Sequence, residues 1–340
     1  MKAWKLIDKN QFELISRELS EMDDQHDVKI KMNRVMITPM DCSLIANPQG
    51  NQLILGNTGM GIVSEVLESG NCRFERMERV VIEPFIACHD CNNCKHSKEQ
   101  NCNSKSNLGI NADGLLRDFI CLPHNSLYSI PDVIHTNDAI LIPQISLALN
   151  LLDKIELEKG EHVAIFGGGI LGVIVACLVN YYQAMPVFVE SNANILKTAN
   201  QKNIFYNFEY DKENQEEVYQ KIFSLTGGRK CEKVIYLSDE SIPMSLALNS
   251  CSANGIFSVY NTHLTNLNLP LDYIIKNNLT VNTVENCYGN FPTAINLLTK
   301  DVLKASDFDS LQLTFDELNE TLPKLTTQQV INCNHIVKFD

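Results

Sequence analysis

Over the first 150 or so residues the apolar positions fall in short runs, Val28 to Met32, Arg34 to Ile37, Gly61 to Val66, Arg79 to Ile82 and Phe119 to Leu122. Clusters of Gly, Asn, Asp and Pro separate them, and short runs bounded by turn formers predict a mostly β region. From about 150 to 285 the pattern changes. The runs Val163–Phe166, Val187–Val189, Lys233–Leu237, Gly255–Tyr260 and Leu279–Thr283 alternate with stretches of helical length, which predicts a parallel sheet. A helix from Phe291 to Thr299, a hinge-like region, a second helix near Phe315 to Leu322 and a closing strand, His335 to Phe339, follow. The pattern therefore predicts an α/β chain of two domains. One is a β domain over 1–150, completed by 286–340; the other is a doubly wound parallel-sheet domain over 151–285.

The first strand of the second region runs directly into Gly167-Gly168-Gly169-Ile170-Leu171-Gly172, a G-x-G-x-x-G sequence that opens an apolar helix. Each glycine then has a mechanical task. Gly167 permits the tight turn, Gly169 lets backbone approach a pyrophosphate, and Gly172 lets the helix lie close to the sheet. The next strand ends in Glu190, eighteen positions past Gly172. A carboxylate there accepts from the ribose hydroxyls of NAD and repels the extra phosphate of NADP, so NAD is the expected cofactor.

Composition narrows the choice of partner. A formal net charge of −13 without a basic stripe argues against nucleic acid or an anionic membrane surface, leaving a small-molecule substrate. The first residues lack an apolar signal core and no apolar stretch is long enough to span a bilayer, so a cytoplasmic location is expected.

Four of the twelve cysteines fall within residues 88–102, as Cys88, Cys91, Cys94 and Cys102. Four thiolates on one loop can close tetrahedrally around zinc and leave no open position, which makes the site structural; an iron–sulfur cluster uses a related spacing. His89 and His96, beside them, read as solvated. Trp4, Cys177, Cys251 and Cys287 read as packing residues, and His263 as a loop histidine.

Together these pieces resemble the zinc-containing medium-chain dehydrogenase/reductase family, that of the alcohol, sorbitol and threonine dehydrogenases. Further matches are Glu78-Arg79-Val80-Val81, Asp113-Gly114-Leu115-Leu116-Arg117-Asp118-Phe119 and Leu127-Tyr128-Ser129-Ile130-Pro131-Asp132. The resemblance implies a GroES-like domain followed by a Rossmann domain, an active site in the cleft between them, one structural zinc, and a homodimer or homotetramer. It also implies a catalytic zinc held by Cys, His and Glu or Cys. This chain has Thr38, Asn57 and Gln144 near those positions, with Thr58 where the glutamate beside the histidine stands. Neutral side chains of this kind do not hold Zn²⁺, so no catalytic zinc is expected.

Hydride transfer then depends on hydrogen bonding. The expected arrangement has Thr38 donating to a carbonyl oxygen, Asn57 holding substrate or the nicotinamide amide, Thr58 lining the pocket and Asp41 orienting them or relaying a proton. Two other readings remain: a non-catalytic nucleotide-sensing or partner-binding protein, and an ordinary zinc dehydrogenase with unfamiliar ligands.

Overall fold

The computed structural model describes residues 1–340 except 20, 49–51, 68–71, 239–240, 261–268, 309, 325–333 and 340. It divides into two compact units, 1–143 with 291–340, and 144–290. Both boundaries lie a few residues from the expected 150 and 286. The displacement has a local cause: Asn150, in the helix Ile142–Lys154, donates to the carbonyls of Asn286 and Tyr288, and Asn290 donates to Asn150 and Asp153. The segment 286–290 is thereby tied to the second unit.

The first unit opens with a hairpin, β1 (Lys2–Asp8) and β2 (Gln11–Ser16). Its central strand, β3 (Val28–Ile37), unites the two runs read as separate strands. Asn33 interrupts the apolar pattern, and the register shifts there, so the extra residue is absorbed as a bulge and the strand continues. β4 (Thr58–Val66), β5 (Arg79–Ile82), β8 (Phe119–Leu122) and β9 (Leu127–Ser129) pair antiparallel around it, while the short β6 (Phe85–Ile86) and β7 (Ser106–Asn107) form a separate ribbon. Val35, Ile37, Val63, Val80, Ile82 and Val337 belong to one buried cluster. Each such side chain contributes about 1.5–3 kcal/mol on leaving water.

The second unit holds six parallel strands in the order β12-β11-β10-β13-β14-β15. They are β10 (His162–Phe166), β11 (Met185–Glu190), β12 (Asn207–Glu209), β13 (Cys231–Tyr236), β14 (Cys251–Val259) and β15 (Thr280–Thr283). The strand order reverses direction beside β10, the switch point at which open α/β sheets take ligands outside the carboxyl ends of the strands. Ala164, Phe166, Val187, Val234 and Phe257 are fully buried, as a two-sided sheet requires.

The chain then returns to the first unit. The helix Phe291–Thr299 is as expected, but Phe315 to Leu322 forms short 3₁₀ and α turns instead of one helix. β16 (Ser310–Thr314) and β17 (Asn334–Lys338) extend the sheet, with β17 antiparallel to β3.

Candidate functional site

The turn off β10 puts Gly167, Gly168 and Gly169 at φ of 71°, 89° and 56°, the left-handed region that favours glycine. Gly168 is the N-cap of the helix Gly169–Tyr181. A Cβ on Gly167 would lie 2.8 Å from Ser238 Cα, and one on Gly172 would lie 2.3 Å from the Gly167 carbonyl and 2.7 Å from the Phe188 ring. Gly172 therefore sets the close approach of helix to β11. A Cβ on Gly169 would meet nothing within 4 Å, so the helix N-terminus is open there. Ile170 is buried and Leu171 partly so. Ser238, at the carboxyl end of β13, is a residue the sequence did not single out, because its role arises from a neighbouring strand.

Glu190 closes β11 beside this opening, 5% exposed. Its carboxylate accepts from the amides of Gly169 at 3.0 Å, Ser191 at 2.7 Å and Asn192 at 3.2 Å. Burial, the largest influence, raises its pKa above the ordinary value, and the three amides pull the other way.

In the first unit, Thr38 caps the helix Pro39–Ala46 and forms a capping box with Asp41. Thr38 Oγ1 donates to Asp41 Oδ2 at 2.7 Å, the Thr38 amide donates to the same oxygen at 2.8 Å, and the Gly56 amide donates to Asp41 Oδ1 at 3.0 Å. Asp41 thus ties the helix start to the loop that carries Asn57. Thr58 opens β4 opposite Met36, two residues before Thr38; the hydrogen bonds themselves join Thr38, Asp41 and Gly56. Burial raises the Asp41 carboxyl above its ordinary 3.8. Burial and then the charge of Asp41 push the neighbouring Cys42 thiol up to about 12, so a thiolate there is disfavoured.

For Thr38 this arrangement offers a different chemistry from the donation expected. The hydroxyl hydrogen of Thr38 goes to Asp41, and Asn57 Nδ2 donates to the Leu108 carbonyl at 3.3 Å. Beyond those bonds Thr38 presents an acceptor oxygen, Oγ1, while Asn57 presents both its Oδ1 acceptor and the second hydrogen of Nδ2. Gln144 lies in the helix Ile142–Lys154, where the second unit begins. His263 lies outside the described residues.

The cysteine lobe brings four sulfurs together. The Sγ separations are 3.5 Å for Cys91–Cys94, 3.4 Å for Cys88–Cys102, 3.9 Å for Cys91–Cys102 and 4.0 Å for Cys88–Cys94. Disulfide bonding requires about 2.05 Å, whereas a tetrahedron with Zn–S bonds near 2.3 Å has edges of about 3.8 Å. The donor set therefore fits zinc. The amides of Cys94 and then Asn103 pull the Cys91 thiol down to about 6, and the amides of Asp90 and Cys91 lower Cys88. His89 and His96 are exposed, contacting Asn125 and the Asn92 carbonyl.

Residues 24–132 match the Alcohol dehydrogenase GroES-like domain. An uncharacterized zinc-type alcohol dehydrogenase-like protein of Haemophilus influenzae is 26% identical over 271 residues, 79% of this chain and 78% of that one. The chain is thus similar, over most of its length, to zinc-type alcohol dehydrogenases. A D-xylulose reductase A of Aspergillus oryzae is 26% identical over 175 residues, only 49% of this chain and 48% of that one. An alcohol dehydrogenase of Escherichia coli, solved with NADH, shares the fold with a TM-score of 0.88 at 18% identity, covering 100% of this chain and 99% of that one. The first unit contains the GroES-like match, and the second carries a Rossmann-like parallel sheet.

Proposed function

We propose that this protein is an NAD(H)-dependent oxidoreductase acting on a small hydroxyl-bearing substrate, without a catalytic zinc. The observation that carries the reading is the open helix N-terminus at Gly169, with the Glu190 carboxylate beside it at the carboxyl edge of the parallel sheet. When bound, NAD supplies the hydride acceptor and NADH the donor. The Gly169 region faces the pyrophosphate, and Glu190 accepts from the ribose hydroxyls.

The substrate class follows from Thr38, whose hydroxyl hydrogen is taken by Asp41. An acceptor oxygen there favours a molecule that brings a hydroxyl donor, an alcohol or polyol, Asn57 can both accept from and donate to its further hydroxyls, and the similarity to a D-xylulose reductase supports the same class. Thr38 Oγ1 accepts the substrate hydroxyl, and Asp41 fixes the orientation of Thr38. Cys88, Cys91, Cys94 and Cys102 hold one structural zinc. The family commonly forms homodimers or homotetramers, and such an assembly is part of the proposal.

A non-catalytic, nucleotide-sensing reading has one observation in its favour. Thr38, Asp41 and Gly56 satisfy one another as an ordinary helix cap does. Calorimetric titration with NADH and NADPH, followed by turnover of NAD with a polyol panel after removal of loosely held metal, separates the readings. Micromolar NADH binding with turnover supports the enzyme. Binding without turnover favours the sensor, and loss of turnover on mild chelation, with the lobe zinc retained, sinks the zinc-free mechanism.

A further inference from the structure

Arg34 and Lys338 are direct cross-strand partners on β3 and β17, so two cations stand opposite each other on one face of the sheet. Like charges in that position destabilise a sheet unless something neutralises them. Among the described residues, neither has a carboxylate within ion-pair distance. The guanidinium has one protein acceptor there, the Asn33 carbonyl, 2.8 Å from Nη1. Its Nε is buried with no acceptor, and burial lowers the arginine's pKa.

The surroundings make this costly. Met36 and Ile336 alternate with Arg34 and Lys338 along the same face, Met60 is the other cross-strand partner of Arg34, and all three apolar residues are buried. A charge beside an apolar floor is poorly solvated, and a buried donor left unmatched costs about 1–3 kcal/mol. The protein solves the same problem elsewhere. Arg117, more deeply buried, donates Nε to the Gly114 carbonyl at 2.7 Å and Nη2 to the Asp113 carbonyl at 2.6 Å. An arginine whose Nε lacks an acceptor, where another has its Nε matched, calls for a ligand.

We propose that Arg34 and Lys338 form a binding site for a phosphate group. The free edge of a guanidinium offers parallel donors that match an oxyanion bidentately, and the ammonium adds a point charge. Two cations balance a dianion better than a single carboxylate. Net charge of −13 repels anions from the protein as a whole, so such a group is held only where the local field is reversed. The phosphate is either free or part of a small ester. The competing occupant is a water bridging Arg34 Nε to Asn33 Oδ1, which is also buried without a partner.

The test measures melting temperature of the full chain against inorganic phosphate and, separately, methyl phosphate, each compared with sodium chloride at equal ionic strength. A saturable rise is expected, with apparent affinity falling about tenfold or more in Arg34→Gln and in Lys338→Gln. A stronger response to methyl phosphate assigns the site to an ester; an equal response assigns it to any phosphate. In chloride alone, Lys338→Gln is expected to raise the melting temperature by removing the opposed charge. An equal phosphate response in native protein and both variants would place the anion at the glycine loop and overturn the proposal, as would no response in the native protein. A crystal grown in phosphate with water on Arg34 Nε would overturn it too.

Discussion

The Gly169 amide donates to the Glu190 carboxylate at 3.0 Å, so the opening of the helix and the end of the neighbouring strand are joined by one hydrogen bond. The acid proposed to read the ribose is thus also fixed to the loop proposed to face the pyrophosphate. Replacing Glu190 with Arg removes the carboxylate that disfavours a 2′-phosphate. The NADH-to-NADPH preference should fall by about tenfold or more, equivalent to about 1.4 kcal/mol, in parallel titrations. Unchanged selectivity would remove Glu190 from the ribose role.

Gly172→Ala and Gly169→Ala should fail differently. An added Cβ at Gly172 meets a carbonyl at 2.3 Å and the Phe188 ring, so folding should lose about 1–3 kcal/mol by denaturant titration. At Gly169 the space is open but φ is 56°, which costs an alanine about 1–2 kcal/mol and narrows the phosphate approach. Its NADH affinity should therefore drop more than its stability does. The reverse order would count against the assigned roles.

Asp41 gives a pH signature. Its folded carboxyl is raised above 3.8, so the native state holds its proton more tightly than the unfolded chain does. Stability from this group is present below the unfolded value and is lost as pH rises through the raised one. Asp41→Asn should flatten that loss, read as the difference between native and variant melting across the acid range. It should also cost about 1–3 kcal/mol at neutral pH, because an amide nitrogen must face one of the donors now held by the carboxylate. A variant whose pH profile parallels the native one would show that Asp41 is not the titrating group.

Cys94→Ser removes one of four converging sulfurs, and should release zinc in metal analysis while lowering the melting temperature. A variant with native zinc content and melting would defeat the assignment of a tetrathiolate site.

The sequence was most legible where one local pattern dominates. Arg79–Ile82, Phe119–Leu122 and Phe291–Thr299 form the elements their apolar runs predict. The glycine loop was legible because a turn, an open approach and a close helix each demand glycine. By contrast, Thr38-Pro39-Met40-Asp41 carries a capping-box signature with proline at the first helical position, and its chemical interest masked that simpler role. Phe315 to Leu322 has helical periodicity but folds as successive tight turns. Lys338 could not be matched to Arg34 in advance, since their pairing depends on a strand register set by tertiary packing.

That register also orders events during folding. The second unit is built from consecutive residues, so it can fold once residue 290 has left the ribosome. The first unit must wait: the Arg34–Ile37 half of one edge of β3 is paired by β17, with Ile37 meeting His335, while β8 pairs the Val28–Lys31 half. Closing so distant a contact is slow. Until it closes, that half of the edge stays unprotected, and a nascent chain is exposed to misassociation for the time the ribosome takes to cross the intervening domain.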